Sequence, residues 1–395
     1  RWQENWDNLP SIKDNLSEGL LKALNTKPIV EKKVENINPE AYEYYLKAKH
    51  KYEKRENTDD TEIARGMLNK AIKLDGNLIS AKLLLGWTYS EMGDYDKARE
   101  ISIASLKLSE DLEDKALISK CLYHLGTFYT QKDNLISLEY YFRSLNLSKE
   151  IDDKVGIAKS LTGIGIMYQW MNEFDESLYY CKKSIKIFEE LENKFGATRG
   201  IANLGILYYY KGDYDKALEC QKHTLEVYEE LGYHSDIIKS LFNTGNVYVS
   251  KGKVEKAISC LNQSLDIAVK LGDKFAMAYI LASLGSAHDS KKDYERVVEY
   301  YEKSHLIQNE IGDNQLKLET TTYIYLSNKN LGREYDVNLI HKLIKDTEHI
   351  EHRLNFRLYE LLEDKSYLKI AYNQVQELAD NLEPDLAAKF LSYPI

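Results

Sequence analysis

The sequence predicts an all-α chain, an α-solenoid built from repeated helix pairs, and three observations carry that expectation. Glycines stand at Gly86, Gly126, Gly165, Gly205, Gly245 and Gly285, at steps of 40, 39, 40, 40 and 40 residues, and self-similarity at a fixed period of this length marks a solenoid. Other positions keep the same register: a tyrosine three residues on (Tyr89, Tyr129, Tyr168, Tyr208, Tyr248, then His288), a small residue (Ala98, Ser137, Ser177, Ala217, Ala257, then Val297) and a hydroxyl ladder (Ser105, Ser144, Ser184, Thr224, Ser264, Ser304). The chain of 395 residues has only 5 prolines, which suits near-continuous helix because proline breaks helix interiors.

Each unit reads as two helices. The first carries apolar residues three and four apart, as in Leu161, Ile164 and Tyr168, which is a helical stripe. A turn such as "KGDYDKA" or "KGKVEKA" follows, with its glycine as the helix stop. The second helix runs to a junction, "LEDK", "IDDK", "LENK", "LGYH", "LGDK" or "IGDN". The glycine of the first helix and the small residue of the second let two backbones approach closely, where larger side chains would hold the helices apart. The single short step falls in the turn between Gly126 and Ser137.

The pattern small/Leu-Gly-x-x-Tyr followed by Gly-x-Tyr-x-x-Ala resembles the tetratricopeptide repeat. "ARGMLNKAIKLDGN" matches its shorter form, and the later units resemble the 40-residue variety of Leu-Gly-Asn adaptors and kinesin light chains. The resemblance covers about residues 40–340. It implies a right-handed superhelix whose first helices line a concave groove, and a role in binding other proteins rather than one particular partner.

The ends depart from the pattern. Residues 1–38 are expected to be a stub and linker, with Trp2, Trp6 and an amphipathic stretch through Ile12, Leu16, Leu20 and Leu21. Residues 39–340 are expected to hold about seven helix pairs, the last a degraded unit that keeps Gly332. Residues 341–395 are expected to form capping helices. The opening resembles the junction in bacterial multidomain proteins where a cyclase, kinase or DNA-binding head precedes a tetratricopeptide tail. A regulatory or sensing tail therefore stands as an alternative to a free-standing scaffold. A receptor for a peptide signal, like the quorum-sensing regulators, is a further one.

The formal net charge of −10 argues against a nucleic-acid partner. No run of apolar residues is long enough to span a membrane. Cys121, Cys181, Cys220 and Cys260 form no CxxC pair and recur near the repeat spacing, as packing residues in a reducing, cytoplasmic setting would. No cofactor, metal or catalytic constellation is expected. "EHIEH" offers His349 and His352 but no HExxH. His288 replaces a repeat tyrosine, and the glycines of "TGIGIMY" fit the repeat rather than a phosphate loop.

The resemblance also implies which positions face the groove: six and three before the repeat glycine, and one, four and five after it. Six before gives Ser80, Lys120, Lys159, Arg199, Lys239 and Tyr279, so four successive units present a cation. The remaining groove candidates are Tyr123, Gln169, Trp170, Asn203, Tyr209, Tyr210, Phe242, Asn243 and Asn246. Asn203 and Asn243 match asparagines that bind the peptide backbone in the Leu-Gly-Asn adaptors, but His124 and Gly163 stand there in the preceding units. The expected partner is an extended, acidic protein segment: cations for its carboxylates, amides for its backbone and rings for its apolar side chains. The competing expectation is that the cations pair with acids of neighbouring repeats. Self-association through a terminal face is a further possibility.

Overall fold

The computed structural model describes residues 38–392, apart from residues 92, 131, 312–315, 348–349, 381 and 383. The amino-terminal stub, with Trp2 and Trp6, lies outside the described residues. The described residues form nineteen helices and no strand. They pair as α1 (Pro39–Glu53) with α2 (Thr58–Leu74), α3 (Ile79–Ser90) with α4 (Tyr95–Asp111), α5 (Lys115–Tyr129) with α6 (Asn134–Glu150), and α7 (Lys154–Trp170) with α8 (Phe174–Glu190). The array continues with α9 (Lys194–Tyr210) and α10 (Tyr214–Leu231), α11 (His234–Ser250) and α12 (Val254–Leu271), and α13 (Lys274–Asp289) and α14 (Tyr294–Ile311). An eighth, shorter pair, α15 (Lys317–Asn330) and α16 (Val337–Lys345), precedes α17 (His352–Leu362), α18 (Lys365–Asp380) and α19 (Pro384–Leu391).

The junction residues begin the first helices as well as ending the second ones. Asp114, Asp153, Asn193 and Asp273 accept hydrogen bonds from backbone N–H groups of the helices they precede, satisfying donors that a helix start leaves open. Gly212 and Gly252 end α9 and α11 at φ 72° and 67°, a left-handed conformation that costs glycine little.

The small positions work as close approaches. A Cβ on Gly245 would stand 2.6 Å from Leu261 Cγ, and one on Gly285 would stand 2.5 Å from Tyr301 Cδ2. The hydroxyl ladder ties several second helices to their partners: Ser184, Ser264 and Ser304 donate to the carbonyls of Ala158, Ile238 and Ala278 at 2.7, 2.9 and 2.7 Å, whereas Ser105 and Thr224 donate within their own helices.

From α1 to α13, each first helix also touches the first helix of the next pair, whereas successive second helices make no comparable contact. The array therefore bends with α3, α5, α7, α9, α11 and α13 on its inner side. Two features narrow the space they enclose. Lys54, at the end of α1, donates to the Leu231 carbonyl and lies 3.9 Å from the centroid of the Tyr233 ring. Beyond α16 the chain turns back, so that α17 crosses the inner side of the later pairs.

Candidate functional site

The groove divides into two halves of different chemistry. The first is lined by α5, α7, α9 and α11, which carry Lys120, Lys159, Arg199 and Lys239. All four side chains are exposed. Among the described residues, Lys120, Lys159 and Arg199 form no ion pair with a carboxylate, and Lys239 has one long contact, 4.0 Å to Glu91. Many other lysines of the array are paired with an acid about one repeat away: Lys211 with Asp175 at 3.0 Å, Lys274 with Glu310 at 2.9 Å and Lys291 with Glu255 at 2.7 Å. Close pairing within and between repeats is therefore built at the helix ends, Lys274 with Glu310 inside one pair and the other two across neighbouring pairs, rather than along the ladder.

The ladder's cations feel one another. Partial desolvation in the groove lowers the Lys159 pKa, and Arg199, Lys120 and Lys49 lower it further. Lys49, on α1, is a contributor that sequence reasoning missed, because its unit is the shorter form without the register glycine. The same field reaches His124, which burial, then Lys159 and Lys120, push down to about 3. That imidazole is neutral and packs against the rings of Trp87, Tyr123 and Phe128 at centroid distances of 5.8, 5.6 and 5.8 Å.

The other candidates sort by burial. Tyr123 is half-buried and packs against Tyr141 at 5.7 Å. Asn203, Asn243 and Asn246 are half-buried, and Phe242 packs on a cluster that includes Ile238, Leu261 and Leu284. Gln169 is buried, whereas Trp170 is exposed. Glu91, at the carboxyl end of α3, faces the ladder from the opposite wall. Burial raises its pKa, but Arg55 at 2.7 Å, Lys239 and the Tyr52 hydroxyl together hold the carboxyl below its ordinary value.

The second half is occupied by the chain's own α17. Arg353 donates to the Tyr209 hydroxyl oxygen at 3.3 Å and to Ser250 Oγ at 3.0 Å, and Ser250 donates to Tyr209 at 3.2 Å. Arg357 reaches Asp289 at 2.8 Å and lies over the Tyr323 ring at 5.8 Å. Lys329 donates to the Glu360 and Leu361 carbonyls at 2.9 and 3.1 Å, closing the end of α17. Tyr209 and Tyr210 are among the expected groove residues. Tyr209 bonds Ser250 and Arg353, while burial and then Glu351 raise the Tyr210 hydroxyl to about 12. Tyr209 thus meets a segment of this chain, because the return of α17 fills the space that its groove-facing position opens, whereas the Tyr210 ring stays exposed.

The histidines of "EHIEH" do not assemble a ligand set among the described residues. His349 lies outside them, and His352 is pushed down to about 4 by burial and then by Arg353. His288 is buried and stacked on Tyr300 at 5.3 Å. The four cysteines are free thiols. Burial raises Cys121, Cys181 and Cys220 to about 11, as packing residues rather than nucleophiles.

Comparison with known proteins gives a consistent result. Tetratricopeptide-repeat families match residues 197–270, residues 79–112 and 277–308, and residues 157–194. No curated protein matches the chain by sequence. Among solved structures, a Rap protein complexed with competence and sporulation factor is 14% identical, with 87% of this chain and 94% of that chain covered at a TM-score of 0.56. The apo form of RapI is 16% identical, with 70% and 100% covered at a TM-score of 0.50. A putative kinesin light chain from Podosopora anserina with nearly identical repeats is 14% identical, with 48% and 94% covered at a TM-score of 0.40. At these identities the likeness is one of fold.

Proposed function

This chain is a tetratricopeptide-repeat protein, and from that premise we propose that it is a non-enzymatic, cytoplasmic scaffold that holds an extended acidic protein segment in its groove. The observation that carries this reading is the unpaired ladder of Lys120, Lys159 and Arg199, continued by the weakly paired Lys239. Lys159 stands without a carboxylate partner and close enough to Arg199 and Lys120 for their charge to lower its pKa, an unfavourable arrangement that an anionic ligand relieves. Tyr123 and Phe242 offer apolar surface beside the ladder, and Asn203, Asn243 and Asn246 offer amides to a ligand backbone. Four reduced thiols used as packing residues support the cytoplasmic assignment.

The test is a titration with fluorescein-labelled decaglutamate. The variant carrying Lys120→Ala, Lys159→Ala, Arg199→Ala and Lys239→Ala is expected to bind about 10- to 100-fold more weakly, at roughly 0.5 kcal/mol per exposed ion pair. Wild-type binding is expected to weaken steeply with salt. Equal affinities, or binding indifferent to salt, would remove the basis of the proposal.

A second reading, a receptor for a signalling peptide, is favoured by the Rap protein whose structure contains competence and sporulation factor. It predicts that a small ligand tightens the superhelix, seen as a fall in radius of gyration on binding.

A further inference from the structure

The half of the groove beyond the ladder has its own recognition chemistry. Four successive first helices, α9, α11, α13 and α15, each direct one group at α17: Tyr209, Ser250, Asp289 and Tyr323. The groups they meet are two guanidiniums, Arg353 and Arg357, one helical turn apart. A guanidinium suits this surface, because its planar fork can bond two acceptors at once and lie on a ring, as an ammonium cannot. Arg353 does the first with Tyr209 and Ser250, and Arg357 bonds Asp289 while covering Tyr323.

The arginines are not all that holds α17. Leu358 and Leu361 are buried with Leu318, Leu326, Ile340 and Leu343 in an apolar cluster at the end of the array. That cluster is built from the leucine face of the helix. The arginine face lies on an adjoining side of the same helix and points along the groove. Its neighbourhood includes Glu319, whose carboxyl burial and then Glu351 push up to about 7, with Arg353 opposing them.

We propose that this half of the groove is a guanidinium-accepting subsite, filled in cis by Arg353 and Arg357 and filled in trans by a partner helix with two arginines one turn apart. A partner that spans both halves is then dipolar, acidic where it meets Lys120, Lys159 and Arg199 and arginine-bearing where it meets Asp289. That last step rests on the proposed function; the subsite itself does not.

The experiment uses the full chain with Arg353→Ala and Arg357→Ala, which empties the subsite and leaves the leucine anchor. The probe is a fluorescein-labelled peptide with the sequence of residues 350–363, IEHRLNFRLYELLE, compared with the same peptide carrying lysine at both arginine positions. The arginine peptide is expected to bind the double variant at least tenfold more tightly than wild type, where the cis arginines compete at high effective concentration. It should also bind at least tenfold more tightly than the lysine peptide, and adding Asp289→Asn should abolish the gain.

Hydrogen exchange of the double variant should rise in residues 352–357 and stay unchanged from α3 to α12. Equal affinity for the two proteins, or for the two peptides, would overturn the proposal. So would unfolding of the double variant or raised exchange across the array, since either makes the arginines part of the scaffold. Alanine at Lys120, Lys159 and Arg199 leaves the peptide's binding unchanged, so failure of the ladder reading and failure of this one register separately.

Discussion

At the scale of single residues, the repeat tyrosines are not the innermost side chains of their helices. Tyr208 is half-buried, with Lys216 at 5.2 Å over its ring, whereas Leu207 just before it is fully buried. Phe128, Met167 and Val247 hold the same deep position in other repeats. The tyrosine stands out in the sequence because five of six units keep it, whereas the deep position varies among Thr, Phe, Met, Leu, Val and Ala. Close packing fixes the shape required in each repeat rather than a residue type. We expect Leu207→Ala to cost about 2–5 kcal/mol and Tyr208→Ala about 1–2 kcal/mol, since part of its ring already meets water. Urea unfolding of the two variants decides the order, and a larger loss for Tyr208 would reverse this assignment. Gln169 stands among the expected groove residues but is buried, because a groove-facing position does not by itself imply exposure.

At the scale of elements, the helix pairs were legible because each repeats its spacing of glycine, tyrosine and hydroxyl. The placement of α17 was not. "HRLNFRLYELL" announces an amphipathic helix, but its arginines read as solvated charge, and a contact made across 144 residues, as between Arg353 and Tyr209, leaves no periodic trace. The docking of α17 carries a pH signature. Glu319 faces Glu351 and Arg353, and its folded pKa of about 7 stands above the ordinary glutamate value. A carboxyl whose pKa is raised on folding takes up a proton, so its contribution to stability is complete below about pH 4.5 and is lost as pH rises to about 7. Glu319→Gln removes that slope. The variant should gain about 1–3 kcal/mol over wild type at pH 8 and little at pH 5, read from thermal unfolding at both pH values. A constant difference between the two would contradict the assignment.

At the scale of the whole molecule, the groove and its two chemistries follow from one asymmetry: first helices touch across repeats and second helices do not. That curvature brings α1 and α3 opposite α11, where Lys54 meets Leu231 and Tyr233 and where Glu91 meets Lys239. Stacked repeats ordinarily behave as a line, in which each unit is stabilised by its two neighbours and unfolding can start at either end. A bond between the first units and the sixth changes the boundary condition, so the early repeats are joined into a ring with no free end. Fraying from the amino-terminal side must then break that bond before any unit is released, and the enclosed repeats should melt together. Replacing Lys54 and Glu91 by alanine should turn a single steep guanidinium transition into a broader one with a smaller m value. An unchanged slope would mean that the line, not the ring, sets the order of unfolding.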